Sequence, residues 1–162
     1  MKTQLNRILI IKNCILLLSF LFIFTSCCTK QEQFSNEEIE QTILTLEKNA
    51  LDKWANGDQI GFSDNFAEDA TYFDDVAAQV RVDGIKNLKK YFASLQGQVP
   101  AHKYELINPK VQVYGDMAIL TLWYQGTVDG ETGAPWKATS VYRLKDGKWQ
   151  VVHAHWSEVK EQ

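Results

Sequence analysis

Two side chains with acid–base capacity fall close together in the first half of this 162-residue chain. The run Ala70-Thr71-Tyr72-Phe73-Asp74 alternates as a short strand, and its period of two places Ala70, Tyr72 and Asp74 on one face. A carboxylate in an apolar setting is desolvated, which raises its pKa and suits it to work as a general base or acid. Tyr72 beside it can donate a hydrogen bond to a substrate oxygen. The plainer alternative is that Asp74-Asp75 opens a solvated loop and Tyr72 is lining. His153 and His155, two apart on one strand face, raise the question of a metal, with His102 as a third imidazole. A metal needs a third or fourth ligand converging in space, and that face offers no carboxylate. No metal or cofactor is therefore expected, and the pair is read as interface or core histidines. No Ser-His-Asp order, glycine-rich phosphate loop or cysteine nucleophile is evident, and Gly57, Gly84 and Gly147 are better explained as caps and turns.

The elements that must position these groups can be read from periodicity. Asp146-Gly147 between two alternating runs marks a hairpin of Thr139 to Leu144 with Trp149 to Val159. Strict alternation puts Trp149, Val151, His153, His155 and Ser157 on one side and Val152, Ala154 and Trp156 on the other. Neither side is plainly polar, so both are expected to be covered, one by helices or a pocket and the other by a partner chain or sheet. Upstream, Ser35 or Asn36 caps a first helix carrying Ile39, Ile43, Leu46, Ala50, Leu51 and Trp54, which Gly57 stops. Asp58 caps a short second helix with Ile60, Phe62 and Phe66, and Asp83 begins a third with Ile85, Leu88, Tyr91, Phe92 and Leu95 as its buried stripe. Val76 to Val80 is read as a loop. Strands follow at Tyr104 to Val113, kinked at Pro109, at Met117 to Val128, and from Pro135 to Leu144. Helices first and strands after mean an α+β fold, a curved antiparallel sheet packed against three N-terminal helices.

The first residues stand apart. Lys2, Arg7 and Lys12 lead into an apolar run from Cys14 to Phe24 that is shorter than the ~20 residues a membrane span needs, the layout of a secretory signal. A membrane anchor over Ile8 to Phe24 is the alternative, at the cost of placing Lys12 and Asn13 inside it. Phe24-Thr25-Ser26-Cys27 resembles the lipobox of bacterial lipoproteins, which implies a signal over 1–26, lipid on Cys27, a tether over 27–35 and one domain over 36–162. Two ordinary cysteines after a plain signal remain the alternative. The place implied is the bacterial cell envelope, periplasmic or at the outer membrane, touching the membrane through the lipid alone. Loss of the three leader cations takes the charge from 17 basic and 20 acidic residues to 14 against 20, and no basic cluster exceeds Lys89-Lys90. That excess argues against a nucleic-acid partner.

Trp54-Ala55-Asn56-Gly57-Asp58, Phe66-Ala67-Glu68-Asp69-Ala70-Thr71, Val82-Asp83-Gly84-Ile85 and Lys145-Asp146-Gly147-Lys148-Trp149 through Ser157 occur in an order that resembles the nuclear transport factor 2-like, or SnoaL-like, superfamily. Within it, Asn108-Pro109-Lys110-Val111-Gln112-Val113-Tyr114-Gly115 and the ending from Asp146 to Ser157 are most similar to the association domain of calcium/calmodulin-dependent kinase II. The resemblance implies a cone-shaped pocket between helices and sheet, and dimerisation through the outer sheet face, with Val151, His153 and His155 as dimer-face residues and a higher oligomer as a further possibility. No kinase follows from it. Laid against bacterial ketosteroid isomerase, the catalytic aspartate falls on Asp74, whereas the oxyanion tyrosine falls on Ala50 and the oxyanion acid on Ser140, so steroid isomerisation is not expected. The association domain's pocket arginine also falls on Ser140, and another arginine on Trp156. The implied pocket is walled by Ala50, Trp54, Tyr72, Asp74, Ser140, Tyr142 and Trp156, apolar, aromatic and less cationic than its relatives'; the alternative is that these aromatics fill the cone and leave no cavity. Three functions fit: a lipid-anchored homodimer binding a small, largely apolar molecule; an Asp74-dependent isomerase, cyclase or dehydratase acting on a carbonyl-containing or polycyclic substrate; or an oligomerisation platform without catalysis.

Overall fold

A computed structural model of the chain describes residues 34–76 and 81–160. The expected signal, Cys27 and nearly all of the tether lie outside the described residues, as does the loop beyond Val76. Helix α1 (Asn36–Ala55) starts at a reciprocal cap: the Ser35 hydroxyl accepts from the Glu38 amide at 3.2 Å while the Glu38 carboxylate accepts from the Ser35 amide at 2.8 Å. Such a cap stabilises a helix by ~1 kcal/mol. Its core stripe is Ile39, Ile43, Glu47, Leu51 and Ala55, spaced by four. Glu47 in that stripe breaks the expected apolar pattern, and Leu46 and Ala50 are only half-buried beside it.

The expected second helix is a single 3-10 turn at Gly61–Asn65. The Asp58 carboxylate does accept from the Gly61 amide, at 2.8 Å, but Phe66 already belongs to strand β1 (Phe66–Phe73), longer than its apolar alternation implied. A two-residue strand β2 (Val82–Asp83) pairs antiparallel with β1, and Gly84 at φ 79° then opens helix α2 (Ile85–Ser94). Asp83 thus ends a strand, and a glycine makes the sharp entry into the helix.

Four longer strands complete the sheet: β3 (Lys103–Tyr114), β4 (Met117–Val128), β6 (Trp136–Lys145) and β7 (Lys148–Glu158), with β5 (Glu131–Thr132) folded back on β4. The order is β2-β1-β7-β6-β4-β3. All these pairings are antiparallel except β1 beside β7, which is parallel. The β6–β7 turn has Asp146 at φ 51° and Gly147 at φ 75°, the two positive dihedrals of a tight hairpin turn. In β3 the ladder slips between Ile107 and Lys110, with Asn108 at φ 49°, so the expected kink at Pro109 is a bulge. The two helices lie over the inner face of this curved sheet and bury Ile43, Leu51, Leu88 and Phe92 against Ala118, Leu120, Tyr142 and Ala154.

A second bulge corrects the expected sorting of β7. Tyr142 pairs with Val151, but Val141 pairs with His153, so Val152 is an extra residue in the ladder. One extra residue inverts the alternation. Trp149 and Val151 before the bulge, and Ala154 and Trp156 after it, all face the core. Val151 is therefore a core residue, whereas His153 and His155 lie on the outer side with Ser157. Among the described residues no helix is long and apolar enough to cross a membrane.

Candidate functional site

The inner face of the sheet divides into a filled end and an open end. At the filled end, Tyr142 and Ser140 of β6 point at Glu47 of α1: the Tyr142 hydroxyl donates a short hydrogen bond to one carboxylate oxygen and the Ser140 hydroxyl reaches the other at 3.5 Å. Glu47 is 3% exposed. Burial pushes its carboxyl above the ordinary value, and the two hydroxyls pull it partly back. Tyr142 is held well above its ordinary value, by burial first and the Glu47 charge second. Of the seven expected pocket residues, Ala50, Ser140 and Tyr142 belong to this filled region and do not line the cavity. Strand parity gave Ser140 and Tyr142 the correct face, but a buried glutamate fills the space before them.

At the open end lies a cavity of about 550 Å³, lined mainly by apolar atoms. It receives Trp54 from the last turn of α1, Phe62 from the 3-10 turn, Tyr72 and Asp74 from the end of β1, and Trp156 from β7. Trp54, Tyr72, Asp74 and Trp156 are the sequence-expected lining residues that the fold brings together. The segment after α2 adds Leu95, Gln98, Pro100 and His102, and the far ends of β4 to β6 add Tyr124, Gly126, Glu131 and Trp136. Phe62 meets three rings edge-to-face, with centroids 5.5 Å from Trp54, 5.3 Å from Phe92 and 6.3 Å from Trp156.

Asp74 follows β1 immediately and is half-buried at the cavity wall. Its carboxylate accepts from the Tyr91 hydroxyl at 2.5 Å and from the Val76 amide at 3.0 Å. Burial first and the Asp74 charge second hold the Tyr72 hydroxyl well above its ordinary value, and burial with the Asp74 hydrogen bond does the same to Tyr91. Two neutral phenols therefore surround one carboxylate. Such a group can take a proton from, or hold a donor on, whatever enters the cavity.

Across the cavity, His102 Nδ1 lies 2.8 Å from the Pro100 carbonyl oxygen, and Nε2 makes a short hydrogen bond with the Tyr124 hydroxyl. A carbonyl cannot donate, so Nδ1 carries the proton; in the neutral ring Nε2 accepts, and Tyr124 donates to it. Gly126 lies beside this pair, where a Cβ would stand 3.4 Å from His102 Cδ2, in ordinary van der Waals contact. Tyr124 stacks on Tyr104 at 5.1 Å and meets Trp156 edge-on at 6.0 Å. Sequence reasoning did not place Trp136, Tyr124 or His102 here. The signal for Tyr124 was available, since it shares the parity of the buried Ala118, Leu120 and Leu122.

The opposite face of the sheet carries the remaining expected residues. His153 Nδ1 bonds the Thr71 hydroxyl at 2.8 Å, and Phe73 sits 6.0 Å from the His153 ring and 5.7 Å from that of His155. Burial, then His155, then Arg81 lower the His153 pKa. Trp123, 50% exposed, and Phe73, 37% exposed, leave apolar surface on this side.

Comparison with known proteins agrees with this architecture. The profile of the calcium/calmodulin-dependent protein kinase II association domain matches residues 39–160. A candidate ketosteroid isomerase from Parabacteroides distasonis is 32% identical, superposes with a TM-score of 0.67, and covers 77% of this chain and 91% of its own. The hub of the same kinase from S. rosetta is 26% identical with a TM-score of 0.59, over 74% of this chain and 95% of its own. A nuclear transport factor 2-like protein of unknown function from Pseudomonas putida, 23% identical over 80% of this chain and 92% of its own with a TM-score of 0.69, shares the fold.

Proposed function

The chain belongs to the calcium/calmodulin-dependent protein kinase II association domain family, and on that premise we propose that it is a binding protein whose cavity takes a small, largely apolar molecule. The observation that carries this reading is the open, aromatic-walled cavity of about 550 Å³, within the size range of sites for small molecules. Three tryptophans, Trp54, Trp136 and Trp156, line it, so occupancy would be visible in intrinsic fluorescence. The decisive experiment is native mass spectrometry of the protein purified from its own host, followed by fluorescence titration with whatever is released. A retained molecule that binds the wild type and binds Trp136→Ala at least tenfold more weakly supports the reading. A protein that comes empty and gives no fluorescence response to apolar compounds up to millimolar concentration overturns it.

A second reading is favoured by the position of Asp74 beside Tyr72 and Tyr91 at the cavity wall. There the carboxylate would move a proton on a carbonyl-containing or polycyclic substrate. General base catalysis of this kind contributes roughly 10²–10⁴-fold, and Asp74→Asn would abolish turnover of the released compound while leaving its binding in place. A third role uses the outer face, where His153, His155, Phe73 and Trp123 would meet a second copy; a native mass of one chain would remove it. The leader and Cys27 support lipid anchorage in the bacterial envelope, which metabolic labelling with a fatty-acid analogue would test, Cys27→Ser losing the label.

A further inference from the structure

The direction of one hydrogen bond at the cavity wall restricts what can be bound beside it. The Pro100 carbonyl can only accept, so it takes the His102 Nδ1 proton, at 2.8 Å. In the neutral ring Nε2 is then an acceptor, and the single hydrogen of the Tyr124 hydroxyl is committed to it. Only lone pairs remain on the Tyr124 oxygen. Its ring is fixed as well: Tyr104 stacks on it with the planes 17° apart, and Trp156 meets it edge-on. Tyr124 is 7% exposed and lines the cavity together with His102 and Gly126, so a ligand group that meets its oxygen does so with little water to stand in for a missing partner. Elsewhere on the wall the direction is open. Gln98 gives one amide hydrogen to the Ser94 carbonyl at 2.6 Å and keeps the other together with its oxygen, so it can meet a donor or an acceptor. The Asp74 carboxylate is engaged by Tyr72, Tyr91 and the Val76 amide.

We propose that Tyr124, oriented by His102, sets the specificity of the cavity: the ligand is a largely apolar molecule bearing a hydroxyl or N–H group that donates to the Tyr124 oxygen, with its apolar body against Trp54, Trp136 and Trp156. This rests on the reading of the cavity as a binding site and adds which polar group its ligand carries. A ligand with only an ether or carbonyl oxygen at that place sets acceptor against acceptor. A site built to pair with a hydroxyl discriminates against the analogue that lacks its hydrogen, because the buried partner is then left without one. His102 acts through Tyr124 and is a positioning residue.

Two probes with one apolar body separate this specificity from the reading beneath it: adamantylmethanol, which both donates and accepts, and its methyl ether, which only accepts. Each is titrated into the purified full-length chain at pH 8 and followed by tryptophan fluorescence and calorimetry. Tyr124→Phe removes one oxygen and is expected to weaken the alcohol about five- to tenfold, the share of one neutral hydrogen bond, while the ether changes by less than about twofold. His102→Leu should act in the opposite sense on the other probe. It frees the Tyr124 hydrogen to turn into the cavity, so the ether should gain about threefold or more, a change that a merely structural role for His102 would not produce. If Tyr124→Phe weakens both probes alike, or neither, the cavity is a binding site but the assignment to Tyr124 is wrong; an ether that gains nothing in a folded His102→Leu overturns it too. Should His102→Leu fail to fold, Tyr124→Phe decides alone. If neither probe binds the wild type, the binding reading fails and the specificity with it.

Discussion

The two ends of the space beneath the sheet are built from the same strands on the same face, yet one is a packed core and the other a cavity. At the filled end β6 sends Ser140 and Tyr142 inward and α1 answers with Glu47, a side chain long enough to reach both hydroxyls. At the open end β6 sends Trp136 inward and α1 answers with Trp54, in its last turn before Gly57 turns the chain away. Among the described residues, the strap around Pro100 and His102 closes one side of the gap between them. A face is thus fixed by strand parity, but whether it is filled depends on the length of what the opposite helix contributes at that level.

The comparison breaks if the filled end matters for ligands or the open end for stability. Glu47→Ala should have the largest effect: it strands two buried hydroxyls and leaves a cavity, at a cost of ~3 kcal/mol or more in denaturant unfolding. The same variant, where folded, should bind ligand as the wild type does. Trp136→Ala should do the opposite, losing about 1 kcal/mol of stability, since the side chain is only half-buried, while losing tenfold or more in affinity.

Glu47→Gln sharpens the point through pH. A buried carboxyl whose pKa is raised in the fold binds its proton more tightly there than in the unfolded chain. Its contribution is fully present below the unfolded value near 4.5 and is lost progressively as pH rises through the folded value. Glutamine keeps the volume and an acceptor for Tyr142 without titrating. Thermal melts of the two proteins should therefore lie close together at pH 4 and separate toward pH 8 in favour of glutamine. A constant gap would place the charge somewhere other than the buried cluster.

Much of this was legible in sequence. The β4 boundaries, the hairpin at Asp146-Gly147 and the kink at Pro109 follow from turn chemistry that leaves few alternatives. The inward positions of Trp54, Tyr72 and Trp156 follow from periodicity. What failed did so for identifiable reasons. Val152 inserts one residue into the ladder, and no apolar pattern distinguishes a bulge from a continued strand, so Val151 was assigned to the outer face. Glu47 has the spacing of a core residue and the identity of a surface one, and its place depends on two hydroxyls 93 and 95 residues away. His102 and Tyr124 pair across a strap and a strand, a contact without a local period.

The smallest expected effect is the one that separates architecture from use most cleanly. Gly126 sits within β4, where its backbone does not require glycine, since its φ is not among the positive ones. Replacement by alanine should leave stability within about 1 kcal/mol, or raise it slightly, because glycine weakens a strand interior. The added methyl would stand 3.4 Å from His102 and 3.6 Å from Tyr124, in ordinary van der Waals contact with both, so it would take up space at the cavity wall without displacing either ring. Affinity for a cavity ligand should then fall a few-fold with Tm unchanged or higher, read by calorimetry and a melt on the same sample. If Gly126→Ala raises stability and leaves affinity untouched, the ligand does not reach the Gly126 wall, and the open end binds through its tryptophans.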